Sequence, residues 1–126
     1  MRIFKTKWLT RFARREGITD HSLREAMERA ERGLIDADLG GDLIKLRVAR
    51  QGQGRSGGYR MLVAYRAQGR AVFLFGFAKN DQENISPTEL LLLRKVADNW
   101  LAADAVLIQK EIEAGNLREI GHDQEA

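Results

Sequence analysis

The residues of this chain with the clearest potential for chemistry are the eight Lys and Arg residues between Leu43 and Asn80. This stretch contains no Asp or Glu. Such a concentration of positive charge favours a polyanionic partner, because Lys and Arg release condensed counterions when they neutralise phosphates. Charge alone is equally compatible with an exposed basic surface that keeps the protein soluble.

Side-chain alternation along the predicted strands indicates which face of a strand carries the basic residues. From Ile44 to Val48, apolar side chains alternate with Lys45 and Arg47, which is the two-residue period of a half-buried strand. One face of this strand therefore belongs to the core and the other is cationic. The pairing of the strands is not visible in the sequence. A sheet that presents Lys45, Arg47, Arg60 and Lys79 beside an aromatic such as Phe77 would combine phosphate contacts with a stacking surface, as single-stranded RNA requires.

The residue types of the better-known catalytic centres are absent or isolated. The chain has no cysteine, and its two histidines, His21 and His122, occur in parts of the sequence that need not meet. We interpret Asp36, Asp38 and Asp42 as turn and cap residues, because carboxylates without histidine or cysteine make a poor transition-metal site. No Gly-Lys-Ser/Thr phosphate loop occurs. We therefore expect no metal and no cofactor, and any acid, base or charge stabiliser must be Lys, Arg or Tyr.

Side chains of this kind make one reaction chemically possible, RNA cleavage in which a 2′-hydroxyl attacks the adjacent phosphate. Arginine stabilises the charge that develops on the phosphoryl oxygens, and a lysine crowded by other cations has its pKa lowered toward values useful for proton transfer. A dense set of cations is also unfavourable in the free protein. A partner rich in carboxylates or phosphates would relieve this repulsion, and both RNA and an acidic protein qualify.

The elements that carry these residues follow from periodicity and from cap and turn residues. Ser86-Pro87-Thr88-Glu89 combines a capping box with a proline at the first helical position, which is typical of a helix start. The predicted order is a strand in the first five residues, helices from Thr6 to Gly17 and from Asp20 to Gly33, an antiparallel three-stranded meander at 44–48, 59–66 and 70–79, and one or two helices from residue 87 to Gly115.

This order predicts an α+β fold in one domain spanning residues 1–126, with a short and mostly polar tail from about residue 116. No stretch approaches the roughly 20 apolar residues of a membrane span. The N-terminus, MRIFKTKW, lacks the apolar run of a signal peptide. We therefore expect a cytoplasmic protein without a membrane role.

The order of elements, together with Gly-Gly-Tyr-Arg (57–60) and Phe-Ala-Lys-Asn (77–80), resembles the RelE/ParE toxin superfamily. More narrowly, the chain is similar to the RelE/HigB-like branch, through MRIFKTKW (1–8), DADLGG (36–41), RQGQGRSGGYR (50–60) and FLFGFAKND (73–81). The resemblance extends to about Leu101. It implies a small RelE-like fold and the toxin of a type II toxin-antitoxin module, usually an endoribonuclease that cuts messenger RNA in the ribosomal A site.

The resemblance also implies roles for individual residues. Arg60 would hold the scissile phosphate and stabilise its transition state, Lys45 or Arg47 would transfer a proton, and Lys79 would contact phosphate or protonate the leaving oxygen. The tyrosine that some relatives use as a base has no counterpart after Tyr65, so the base stays open. The residues expected to bind RNA are Arg50 and Arg55, as contacts to ribosomal RNA, and the aromatics Tyr59 and Phe77.

The implied partners are the ribosome with its messenger RNA and a cognate antitoxin of the helix-turn-helix type, with operator DNA reached only through the antitoxin. Two other functions remain open on the same fold, because fold alone does not determine function. One is a ParE-like inhibitor of DNA gyrase. The other is a non-catalytic module that binds RNA or protein.

Overall fold

A mixed β-sheet forms the centre of the computed structural model, which describes residues 1–50, 54–79 and 85–121. In these residues the sheet has six strands in the spatial order β2-β3-β4-β5-β1-β6, and only β1 and β5 run parallel. The α+β class and the antiparallel meander β3-β4-β5 are thereby confirmed. The strands are β1 (Arg2–Thr6), β2 (Ala37–Asp38), β3 (Leu43–Arg50), β4 (Gly54–Tyr65), β5 (Arg70–Ala78) and β6 (Leu117–Glu119).

Four helices cover the sheet in the described part of the chain, and each begins at a side chain that caps its first turn. Thr6, Thr19, Ser86 and Asp104 each accept a hydrogen bond from a backbone N–H of the first turn, which satisfies a donor with no partner inside the helix. The predicted capping box at Ser86 is present. The helices are α1 (Lys7–Glu16), α2 (Asp20–Glu31), α3 (Pro87–Ala102) and α4 (Ala105–Glu113).

The sheet separates two apolar clusters, so both of its faces are covered. On one face, Leu46, Met61 and Phe73 pack with buried side chains of α1 and α2. On the other, Leu43 and Leu62 pack with side chains of α3 and α4. Successive residues of β3 and β4 therefore alternate between the two clusters.

Two short strands at the edges of the sheet were not predicted. The segment interpreted as a polar tail contains β6, which pairs with β1 and buries Leu117 and Ile120. At the other edge, the two residues of β2 pair with β3. Strands of two or three residues are too short to show alternation, so local pattern cannot identify them. In the described residues, no helix is long and apolar enough to cross a membrane.

Candidate active site

Three of the predicted catalytic cations converge on the β3-β4 pair. Arg47 and Arg60 lie directly opposite each other across the two strands, and Lys45 precedes Arg47 by two residues. Alternation places the three side chains on the same face as Leu43 and Leu62, which is the face covered by α3. The three cations therefore form a cluster on two neighbouring strands. The prediction of one core face and one cationic face was wrong in part, because the face that carries the cations also packs against α3 and α4.

The carboxylate of Asp36 lies among these three cations. Arg47 Nε donates a hydrogen bond of 2.7 Å to Asp36 Oδ1. Lys45 Nζ and Arg60 Nε lie 3.6 Å and 3.7 Å from Asp36 Oδ2. The backbone N–H of Asp36 donates to the carbonyl of Lys45 at 2.8 Å, which holds the segment before β2 against β3. One carboxylate is thus shared by three positive side chains.

The environment of Asp36 stabilises its charged form. Burial raises the pKa of this carboxyl group, but the hydrogen bond from Arg47 and the charges of Arg47, Lys45 and Arg60 outweigh it and lower the pKa below its ordinary value. Asp36 is therefore ionised at neutral pH. A carboxylate of lowered pKa is a weak proton acceptor, so this residue is better suited to charge compensation than to acting as a general base.

Arg60 is the least accessible of the three cations. Its side chain is 7% exposed, and Nη1 is buried with no hydrogen-bond partner in the described structure. A buried charged donor without a partner is costly, so groups of this kind are normally satisfied by another residue, a water or a ligand. Arg60 therefore has an unused hydrogen-bond donor, and this donor is itself buried.

The fourth predicted catalytic residue, Lys79, is exposed and directly follows β5. Arg60 pairs with Phe77 across β4 and β5, so Lys79, two residues after Phe77, follows the end of the strand that lies next to Arg60. Its backbone N–H donates to the carbonyl of Gly58 at 3.3 Å. Three of the four predicted catalytic residues thus form one cluster, and Lys79 follows the neighbouring strand. The side chains of Arg50 and Arg55, predicted to bind RNA, lie outside the described residues.

The two aromatics predicted to bind RNA are both buried. Tyr59 is 2% exposed and lies on the other face of the sheet, where its hydroxyl donates to Glu16 at 3.0 Å. Phe77 is on the cationic face but is 5% exposed. Neither ring offers an open surface for a base in this structure, because both contribute to the interior packing. The expectation that they stack on RNA therefore has no support from the side-chain burial.

An exposed aromatic lies beyond these two rings. Trp8 is 44% exposed and stacks on Phe75 with ring centroids 4.5 Å apart. The ring centroid of Phe75 in turn lies 6.3 Å from that of Phe77. A row of aromatic rings therefore leads from the partner strand of Arg60 to the surface. The signal in the sequence was an aromatic next to a lysine at the start of a basic helix.

The acidic group before β3 divides into turn residues and a site residue. Asp38 accepts a hydrogen bond from the backbone N–H of Gly40, and Asp42 adopts a left-handed conformation with φ 61° and pairs with Arg66. The turn interpretation is adequate for these two residues. For Asp36 the turn interpretation missed the contact with the cations. The signal for this contact in the sequence was the position of Asp36 shortly before the acid-free stretch. In the described residues, no three His, Cys, Asp or Glu side chains are grouped to hold a metal ion.

Comparison with known families agrees with this arrangement. A family model described as the RelE toxin of the RelE/RelB toxin-antitoxin system matches residues 1–120. The matched range contains every strand and helix described above and all four cations. No curated protein matches the chain. The resemblance seen in the sequence is thereby confirmed, and the chain belongs to the RelE toxin family, whose members are generally translation-inhibiting endoribonucleases.

Proposed function

We propose that this toxin is a ribosome-dependent endoribonuclease that cuts messenger RNA by attack of a 2′-hydroxyl on the adjacent phosphate. The observation that carries the proposal is the convergence of Lys45, Arg47 and Arg60 on one face, with an unpartnered guanidinium nitrogen on Arg60. Metal-independent cleavage needs preorganised positive charge at the position where the phosphoryl oxygens gain negative charge. The cationic side chains supply that charge.

Arg60 is the residue assigned to the scissile phosphate. Guanidinium groups bind phosphate through parallel N–H donors, and the rigid fork fixes the orientation of the bound group. Burial strengthens this interaction, because a charge in a site with little water is less screened than one at the surface. The 7% exposure of Arg60, against 49% for Arg47, therefore favours Arg60 as the main stabiliser of the transition state.

Lys45 is the better candidate for proton transfer within the cluster. Arginine stays protonated at any accessible pH, whereas a lysine amine can give or take a proton. Arg47 is also engaged in its hydrogen bond to Asp36. We assign Lys79, which is exposed at the end of β5, to a phosphate contact or to protonation of the leaving oxygen. This assignment uses all four predicted catalytic residues in one site.

The proposed partners follow from the same charge distribution. A cognate antitoxin, which the family implies, would supply acidic groups to the cationic face and exclude RNA from it. We further propose an antitoxin with a helix-turn-helix domain, so that operator DNA is contacted only through the antitoxin. The substrate would be presented by translating ribosomes in the cytoplasm.

The test is to induce the chain with and without its antitoxin and to map the 5′ ends of cellular messages. We expect new ends within translated regions, and their loss when the antitoxin is present or when ribosomes are omitted in vitro. Arg60→Ala should reduce cleavage about 10²- to 10³-fold, the usual effect of removing one charge-stabilising donor. Arg66→Ala is the matched control, because this exposed arginine pairs with Asp42 away from the cluster.

Other outcomes would assign a different function. Intact messages together with cleaved, gyrase-trapped DNA would indicate a gyrase inhibitor. RNA binding with neither toxicity nor cleavage would indicate a non-catalytic module. Because Arg60 is buried, thermal unfolding of Arg60→Ala should accompany the assay, with Arg60→Lys as a variant that retains the charge. Wild-type cleavage by Arg60→Ala would contradict the assignment of this residue.

A further inference from the structure

The carboxylate shared by the three cations has no role in the chemistry proposed above. We propose that Asp36 is a positioning residue. It acts as an internal counterion that holds Arg47 in place, while Lys45 and Arg60 contact the substrate phosphate when RNA binds. This inference rests on the proposed function, since it concerns the same site. It divides the three cations into Arg47, which is hydrogen-bonded to the carboxylate, and Lys45 and Arg60, which contact the carboxylate only electrostatically.

The distances support this division. The contact of 2.7 Å between Arg47 Nε and Asp36 Oδ1 is a charge-assisted hydrogen bond. The contacts of Lys45 and Arg60 with Oδ2, at 3.6 Å and 3.7 Å, are too long for hydrogen bonds and are only electrostatic. Both residues therefore keep donors for another acceptor, and Nη1 of Arg60 has none in the described structure. The proposed acceptor is a phosphate oxygen, which can reach the buried Nη1 of Arg60 only if the groups that cover it move.

The pairing of the strands explains why a counterion is needed at this position. Arg47 and Arg60 lie directly opposite each other on antiparallel strands, and like charges in that arrangement repel. The carboxylate of Asp36 compensates part of this repulsion in the absence of RNA. Three cations against one carboxylate still leave a net positive charge, so a phosphodiester remains attracted.

A backbone hydrogen bond and the burial of its side chain restrain Asp36 beside the cations. Its N–H donates to the carbonyl of Lys45 at 2.8 Å, and its side chain is 11% exposed. The carboxylate therefore stays near the bound phosphate and repels it, while it keeps Arg47 in position. Its removal should have two effects of opposite sign, tighter binding of RNA and slower cleavage.

The experiment compares the wild-type chain with Asp36→Asn, which removes the charge and retains the size and an acceptor oxygen. Affinity is measured for a single-stranded RNA whose 2′-hydroxyls are methylated, so that binding does not depend on cleavage. We expect Asp36→Asn to bind about three- to tenfold more tightly at low salt, because a like charge near the phosphate is removed. The slope of log affinity against log salt should steepen by about 0.7, which corresponds to one more neutralised phosphate.

Cleavage is measured on programmed ribosomes under single-turnover conditions. We expect the rate for Asp36→Asn to fall about 10- to 100-fold, because Arg47 loses its charged anchor and the cluster shifts by a fraction of a bond length. Asp42→Asn is the matched control, since Asp42 is an exposed aspartate that pairs with Arg66. This control should change neither the cleavage rate nor the salt dependence beyond experimental error.

Each outcome bears on the proposal. A parallel loss of affinity and cleavage would overturn it, because Asp36 would then only support the fold or contact the RNA directly. Unchanged values would overturn it as well. If Asp36→Asn does not fold, Asp36→Glu replaces it, with the expectation of a wild-type salt slope and slower cleavage. If the wild-type chain does not cleave RNA at all, the proposed function fails, while the affinity and salt measurements still test the counterion.

Discussion

Two cationic regions of this protein differ in whether the chain supplies a counterion. In the cluster on β3 and β4, the carboxylate of Asp36 reaches three cations whose side chains are partly or fully removed from water. On α1, Lys7, Arg11 and Arg14 are exposed at four- and three-residue steps along one side of the helix. No ion pair joins these three to an acid in the part of the chain that the structure describes.

The difference follows from desolvation. A buried charge needs a partner within the protein, because water no longer compensates it. An exposed charge is solvated and screened by salt over about 10 Å, so a row of such charges is tolerated without partners. The first region should therefore depend on the geometry of its side chains. The second should contribute only a diffuse attraction for polyanions.

The largest difference between the two regions is expected in the cleavage rate after replacement of an arginine by lysine. Arg60→Lys retains the charge but loses the planar fork, so cleavage on programmed ribosomes should fall about 10²-fold. Arg11→Lys on α1 should leave the cleavage rate unchanged, because only charge matters at an exposed position. Equal rates for the two variants would show that the cluster acts through charge alone.

The second prediction concerns the stability of the fold. Asp36→Asn should lower the free energy of unfolding by about 1.5–3 kcal/mol at pH 7, the usual value of hydrogen bonds to charged groups. The pKa of Asp36 is lower in the folded protein than in the unfolded chain. Its ion pairs therefore stabilise the fold fully at pH values above the ordinary pKa of 3.8. This contribution is lost as the pH falls through the lower pKa of the folded protein.

The measurement is denaturant unfolding of the wild type and of Asp36→Asn at pH 7 and at pH 3. The gap between the two proteins should narrow at pH 3. Asp98→Asn, at an exposed position of α3, serves as the control and should stay within about 0.5 kcal/mol of the wild type at pH 7. If the difference in the free energy of unfolding is the same at pH 7 and pH 3, the effect of the substitution is due to packing and not to charge.

The smallest effect is expected on α1. The triple variant Lys7→Gln, Arg11→Gln and Arg14→Gln should change the free energy of unfolding by no more than about 1 kcal/mol, because each exposed charge contributes little. Affinity for the methylated RNA should decrease a few-fold at low salt and approach the wild-type value at high salt. A loss that persists at high salt would indicate direct contacts to RNA and a region more like the β3-β4 cluster.

Most of the fold, and the common face of Lys45 and Arg47, could be predicted from local patterns in the sequence. Alternation from Ile44 to Val48 placed Lys45 and Arg47 on one face, because side-chain direction in a strand depends only on local backbone geometry. The same rule assigns Tyr59 to the face of Met61, where it is buried. The capping box at Ser86 was equally local, since its two hydrogen bonds join residues three positions apart.

By itself, the sequence determined the acid-free stretch, the alternating strands, the helix starts and the family of the chain. Only the tertiary structure decided that Arg60 lies opposite Arg47 and that Asp36, from another segment, lies among the cations. It also decided that Trp8 is exposed while Phe77 is buried. The physical reason is that strand register and edge contacts depend on burial summed over the whole sheet, whereas periodicity reports only on neighbours along the chain.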